Sequence, residues 1–318
     1  PAIIFQVMAT AAIMAMGIML LLGGITFGGM ENTGPAFTSL SGFFVVLLVV
    51  PSMLIGFDVI PQSAEEMNIS PRSIGKMLIV CIVISVGWYL MVITGIAAGA
   101  PEEVRMSGEL PAADVISYIY GNSGFGIALI IAGIIGVFTS WNGFFLGATR
   151  LIFAMGRARM LPEAFGRIGK RYQMPWAAIL VVGSFCVLAP LLGANALIWL
   201  VNISAICAIF AYCCVTLSFI LLRKKEPGLH RPIRIKGGAG LGVLILIALV
   251  LYFALYIIMA AGGTDYTPEA VAIILWTITG IVLFGVSKKS SRTISERERE
   301  ILVFGEKLAR FHTGRAEK

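Results

Sequence analysis

Residues 51–66, PSMLIGFDVIPQSAEE, decide how this chain folds. An apolar run enters the stretch from Phe43. Pro51, Gly56, Asp58 and Pro61 then interrupt it at membrane depth. Backbone groups freed from a helix in lipid find no water, so such breaks are costly. They persist where broken helices line a substrate or ion cavity. An acid at the break is a functional-site expectation by default.

The composition around that stretch is that of a membrane protein. The chain has 318 residues, 58% hydrophobic and 13% charged. A soluble domain carries about 25% charge, so these polar residues cannot cover a soluble surface. They also come in clumps between long charge-free runs. The five cysteines all fall inside apolar runs with no CxxC spacing, as expected of small packing residues. Neither histidine has a ligand cluster around it, so no metal site of the zinc type is predicted. Enzyme templates such as GxSxG, HExxH or a P-loop are absent from the sequence. The opening segment has no basic region and no cleavage pattern, so it does not read as a signal peptide. A helix starting at residue 1 without flanking charge reads as an internal cut.

A transmembrane helix needs about 20 apolar residues. The hydropathy pattern predicts eight spans, at 2–27, 39–60 (broken), 77–98, 125–153, 176–192, 196–222, 241–261 and 270–286. Pro190 to Asn195 supplies the turn between the fifth and sixth. Taking the loops alternately, one set contains a single basic residue, Arg105. The other set and the tail hold the remaining 23 of the 24 Lys and Arg. This asymmetry predicts both ends of the chain in the cytoplasm and argues against nucleic acid as the partner of the +7 charge. Residues 1–287 read as one transmembrane domain. Within the long acidic loop at 99–124, residues 112–120 can form a short outer helix. The connector at 157–175 reads as ordered. Residues 288–318 read as a basic tail with a capping box, Ser295 to Glu298, followed by Ile301, Phe304, Leu308 and Phe311 at helical spacing. Such a helix can lie on anionic lipid, dock on the protein or stay mobile.

The break itself has a physical reading. Pro51 removes a helical hydrogen bond, and Gly56 permits open backbone and a close ligand. Unwinding over Ser52–Phe57, with Ile55 inside it, would free amides and carbonyls that hold parts of a zwitterion. Asp58 must face a cavity, gain a partner or take up a proton, or else it caps the second half-helix. Glu65 and Glu66 either form a cytoplasmic gate with Arg72 or another loop arginine, such as Arg150 or Arg157, or are plain solvated charge. Thr139, Ser140, Asn142, Asn202 and Ser204 are mid-helix polar groups that ligate substrate or Na⁺ or act as interhelical glue. Trp88, Trp141 and Trp199 gate a cavity or pack.

Gly56-Phe-Asp58, Ala64-Glu-Glu66 and Pro71-Arg72 together resemble the sixth helix of amino acid permeases of the amino acid–polyamine–organocation superfamily. Asn142-Gly143, Gly147 to Arg150, Ala154 to Arg157 and Leu161-Pro162 resemble its eighth helix and following loop. Arg231 to Arg234 with Gly237-Gly238 resembles its loop between helices ten and eleven. The resemblance implies an all-α, LeuT-like inverted-repeat fold of twelve helices, of which these eight would be helices five to twelve. It implies secondary transport of an amino acid or small amine by alternating access, coupled to H⁺ or Na⁺ or by exchange. No organic cofactor is implied. It gives Gly56 the helix-break glycine, Asp58 an acidic position linked to protons or substrate, and Thr139 and Ser140 a hydroxyl pair that binds Na⁺ in sodium-coupled members. Residues 1–30 contain no Lys in place of that ion. The sequence reads Gly156-Arg-Ala-Arg159 where relatives often show ARDG, so that loop acid is missing. Two rival expectations are a passive channel and a sensor that kept the fold without transport.

Overall fold

The structure is a computed structural model. It describes residues 2–35, 37, 39–62, 70–169, 171, 174–193, 196–225, 227, 231, 235–261, 267–292, 295, 298 and 301. The described residues form helices and connecting loops, and they divide into two compact units. Residues 1–60 and 69–144 make the first, and residues 61–68 and 145–318 the second.

In the first unit, α1 (Ala2–Gly23) runs into a π turn, Gly24–Gly28. Helix α2 (Leu40–Met53) and the short α3 (Val59–Gln62), whose end reaches the second unit, flank the break. Helix α4 (Pro71–Gly99) begins with Pro71 at its first turn, and the Ser70 side chain accepts the Ser73 N–H at 3.2 Å. This is the favourable arrangement at a helix start. Helices α5 (Glu102–Arg105) and α6 (Pro111–Tyr120) form the long loop, so the expected short helix is present. Helix α7 (Ser123–Arg157) crosses from the first unit into the second.

Membrane helices gain little by burying large apolar residues, because lipid is as apolar as leucine. They pack through small residues instead. The first unit follows that rule. Ala9, Ala98, Ala100, Ala113 and Ala132 are buried, while large side chains such as Ile79, Val83, Leu90 and Val137 are exposed. One buried cluster joins Leu20 of α1 to Ala100, Val115 and Ile116. Helix α6 therefore serves as packing for α1 and α4. Tyr120 ties this cluster to α1 by donating its hydroxyl to the Met19 carbonyl at 3.0 Å. Asn32 donates to the Ala98 carbonyl at 3.1 Å, and Arg105 donates to the Asn32 carbonyl at 3.2 Å.

The second unit contains α8 (Trp176–Leu188) with a 3₁₀ turn (Ala189–Leu192), α9 (Ala196–Lys225), α10 (Gly238–Ala261) and α11 (Thr267–Arg292). Helix α9 packs against both α10 and α11. Gly242 of α10 leaves room for Phe219 and Ile220 of α9. Arg223 lies 4.5 Å over the Phe219 ring.

Among the described residues, six helices are long and apolar enough to cross a membrane. Two predicted spans fall outside that set. The one at 39–60 is divided by its break, and the one at 176–192 holds only 13 α-helical residues before its 3₁₀ turn. Of the tail, the Ser295 side chain accepts the Glu298 N–H at 3.1 Å, which is the expected cap. Phe304, Leu308 and Phe311 lie outside the described residues.

Candidate functional site

The break lies two residues later than the sequence suggests. Helix α2 continues past Pro51 to Met53, and residues 54–58 form the non-helical segment. A proline near a helix end removes only one ladder bond, which two further residues of helix can tolerate. Ser52 accordingly belongs to the last turn of α2, and its side chain lies outside the described part of the structure. Gly56 adopts φ +125°, a conformation that L side chains rarely take. Its N–H donates to Asp58 Oδ1 at 3.1 Å. The Gly56 and Phe57 carbonyls accept the Val59 and Ile60 N–H groups, each at 3.2 Å. Asp58 thus stands at the start of α3 and braces the break from within. Helix α3 is four residues long, so local donors and acceptors, not a helix dipole, set the electrostatics.

A cavity of about 320 Å³ opens beside this segment. Ile55, Gly56 and Phe57 line it together with Cys81, Ser85 and Tyr89 of α4. The Tyr89 hydroxyl donates to the Met53 carbonyl at 2.9 Å, holding the last residue of α2. Ser85 and Tyr89 also line a groove of about 740 Å³ among α1, α4 and α7. Thr139, Ser140, Trp141 and Phe144 form its α7 wall, with Trp88 opposite. Phe144 approaches the break itself. Its Cζ lies 3.0 Å from the place a Cβ on Gly56 would occupy. The sequence-predicted hydroxyl pair and the sequence-predicted break therefore face two adjoining cavities that share Ser85 and Tyr89.

Thr139 donates its hydroxyl proton to the Gly136 carbonyl at 2.8 Å. That leaves the oxygen lone pairs as acceptors, the arrangement a hard cation needs. The Ser140 side chain makes no hydrogen bond among the described residues.

Other expected site residues lie elsewhere. Asn142 is exposed and lines neither cavity. Asn202 belongs to the second unit, where its amide donates to Glu269 Oε1 at 3.0 Å. Glu269 is buried at the start of α11, so Asn202 holds α9 to α11. Ser204 donates to its own helix at Val201. Trp199 is likewise on α9. Glu65 and Glu66 lie outside the described residues, and Arg72 is exposed with no ion pair among the described ones. Arg157 lies 5.6 Å over the Phe153 ring. Glu163, in the loop after α7, pairs with Arg159 and, at 3.6 Å, with Arg167. The hydrogen bond and charge of Arg159 hold its carboxyl below the ordinary value of 4.5.

These features define a polytopic helical membrane protein with a broken helix opening on a cavity. A family model described as amino acid permease matches residues 2–286, and the chain belongs to that family. A branched-chain amino acid permease of Bacillus subtilis is 24% identical over 253 residues, which cover 79% of this chain and 52% of the relative. A methylthioribose transporter of Bacillus subtilis is 25% identical over 224 residues, covering 69% of this chain and 47% of the relative. The cationic amino acid transporter 4 of Mus musculus is 28% identical over 170 residues, covering 53% of this chain and 26% of the relative. The chain spans about half the length, or less, of these curated relatives.

Proposed function

We propose that the protein is a secondary active transporter that moves a neutral, largely apolar amino acid across the plasma membrane by alternating access. The observation that carries this reading is the break at residues 54–58 beside its cavity. The volume of about 320 Å³ falls within the roughly 300–1,000 Å³ range of small-molecule sites. Met53, Leu54, Ile55, Ile60 and Ile82 give the cavity an apolar wall, and no charged side chain among the described residues lines it. Backbone groups of the break suit the ammonium and carboxylate of an amino acid, and the apolar wall suits an aliphatic side chain. The relatives extend to carriers named for branched-chain and for cationic amino acids. The uncharged lining favours the former class.

Two further segments complete the proposed membrane topology. The broken α2–α3 is one span. Helix α8 with its 3₁₀ turn is the other, at about 27 Å from the usual rises, against a hydrocarbon core of about 30 Å. The charge asymmetry puts both ends of the chain in the cytoplasm. Thr139 and Ser140 support Na⁺ as the coupling ion, with Asp58 as the proton-coupling alternative.

Uptake of labelled leucine and labelled arginine by the full-length protein in proteoliposomes tests this. Leucine should accumulate against its gradient, with arginine at least about tenfold slower, as expected where a cation must enter an uncharged apolar pocket. Replacing Na⁺ by K⁺ should slow leucine uptake. Full uptake without Na⁺, abolished by a protonophore, would transfer the coupling role to H⁺. Equilibration without accumulation, and without exchange for preloaded leucine, would overturn the transporter reading in favour of a passive channel.

A further inference from the structure

We infer that α4 supplies a working wall of the substrate site, with Ser85 as a substrate-contacting residue and Tyr89 as the residue that positions the break. This rests on the permease reading above. Ser85 and Tyr89 stand one turn apart, and both line the cavity at the break and the groove that carries Thr139 and Ser140. They are the polar side chains common to the two spaces.

Hydroxyls on apolar helices ordinarily donate to a carbonyl one turn back, because lipid offers no other acceptor. In this protein Thr10, Ser184, Thr216 and Thr277 do so, at 2.7–2.9 Å. Ser85 does not. Its hydroxyl makes no hydrogen bond among the described residues, although it sits mid-helix with a cavity beside it. A half-buried hydroxyl left unused beside a cavity is available to a polar group that enters. The carboxylate or ammonium of an amino acid is such a group.

Tyr89 acts differently. Its bond to the Met53 carbonyl satisfies a group that the end of α2 leaves without a helical partner. It thereby fixes where residues 54–58 leave the helix. Removal of that oxygen frees the carbonyl and lets the open backbone drift from the geometry that receives the ligand.

The test is leucine uptake by the full-length protein in proteoliposomes, with Ser85→Ala, Ser85→Thr, Tyr89→Phe and, as a control on the exposed face of α4, Val83→Ala. Ser85→Ala should raise KM about tenfold at unchanged kcat, the value of one hydrogen bond made equally in all bound states. Ser85→Thr keeps the hydroxyl and should stay within about twofold of native, a rescue that a packing role would not give. Tyr89→Phe should raise KM and lower kcat together, because it misplaces the break without removing a ligand contact. Native KM in both Ser85→Ala and Tyr89→Phe would overturn the inference while leaving the permease reading intact. Should Tyr89→Phe fail to reach the membrane, the Ser85 pair alone decides. Absence of leucine and arginine uptake by the native protein would overturn the permease reading, and this inference with it.

Discussion

Gly56→Val abolishes transport while leaving the protein in the membrane. Gly56 holds φ +125°, and a Cβ there would sit 3.0 Å from Phe144 Cζ. Two costs therefore add. A side chain at such a backbone angle costs about 1–3 kcal/mol, most for a β-branched residue. Pushing Phe144 aside costs about 1–3 kcal/mol of overpacking. At about 1.4 kcal/mol per tenfold, the sum is a loss of roughly a hundredfold or more. The break relieves the strain by changing its own path, which moves the Gly56 N–H off Asp58 and the segment off its cavity. Initial uptake rates, normalised to the amount of protein in the membrane, measure the effect. Native uptake by Gly56→Val would mean that the positive φ is not part of the working site.

Gly95→Leu acts on folding. A Cβ on Gly95 of α4 would lie 2.9 Å from the Leu20 carbonyl carbon and the Leu21 nitrogen of α1. These are backbone atoms, so no rotamer change makes room. The contact repeats along the pair, with Gly24 against Gly95 and Gly28 against Ala98. Close backbone approach through small residues is the main attraction between helices in lipid, and a leucine here wedges them apart. The expected destabilisation is on the order of 3 kcal/mol, the upper part of the overpacking range. Gly87, on the same helix, has nothing within 4 Å of its missing Cβ, so Gly87→Leu should be tolerated. Thermal unfolding of the purified variants in detergent distinguishes them. Equal transition temperatures would contradict the packing described for α1 and α4.

The sequence carried the break because proline, glycine and aspartate interrupt an apolar run where each is costly. It misplaced the opening by two residues because hydropathy does not reveal how far a helix can run past a proline. The hydroxyl pair on α7 was legible for a similar reason, since adjacent polar groups stand out among Val137, Phe138 and Trp141. Ser85 and Tyr89 were not legible. Each is a single polar residue in an apolar helix, and the partner that gives Tyr89 its role, Met53, lies 36 residues away in the chain. Asn202 shows the converse error. Its mid-helix amide signalled a ligand, but the acceptor is Glu269, 67 residues later and ahead of the last apolar run. Pairings of that kind depend on which helices meet, and periodicity within one helix does not report it. Asn142 lines neither cavity, and the sequence of α7 alone does not report which of its polar residues border an open space.

Cys81 provides a native reporter for the site, since it lines the cavity at the break beside Ser85 and is half-buried there. In full-length protein whose other cysteines are replaced by serine, its reaction with a small methanethiosulfonate reagent can be timed with and without leucine. If the break at residues 54–58 receives the substrate, saturating leucine should slow the modification severalfold. An unchanged rate, in protein that still takes up leucine, would contradict the placement of the substrate site.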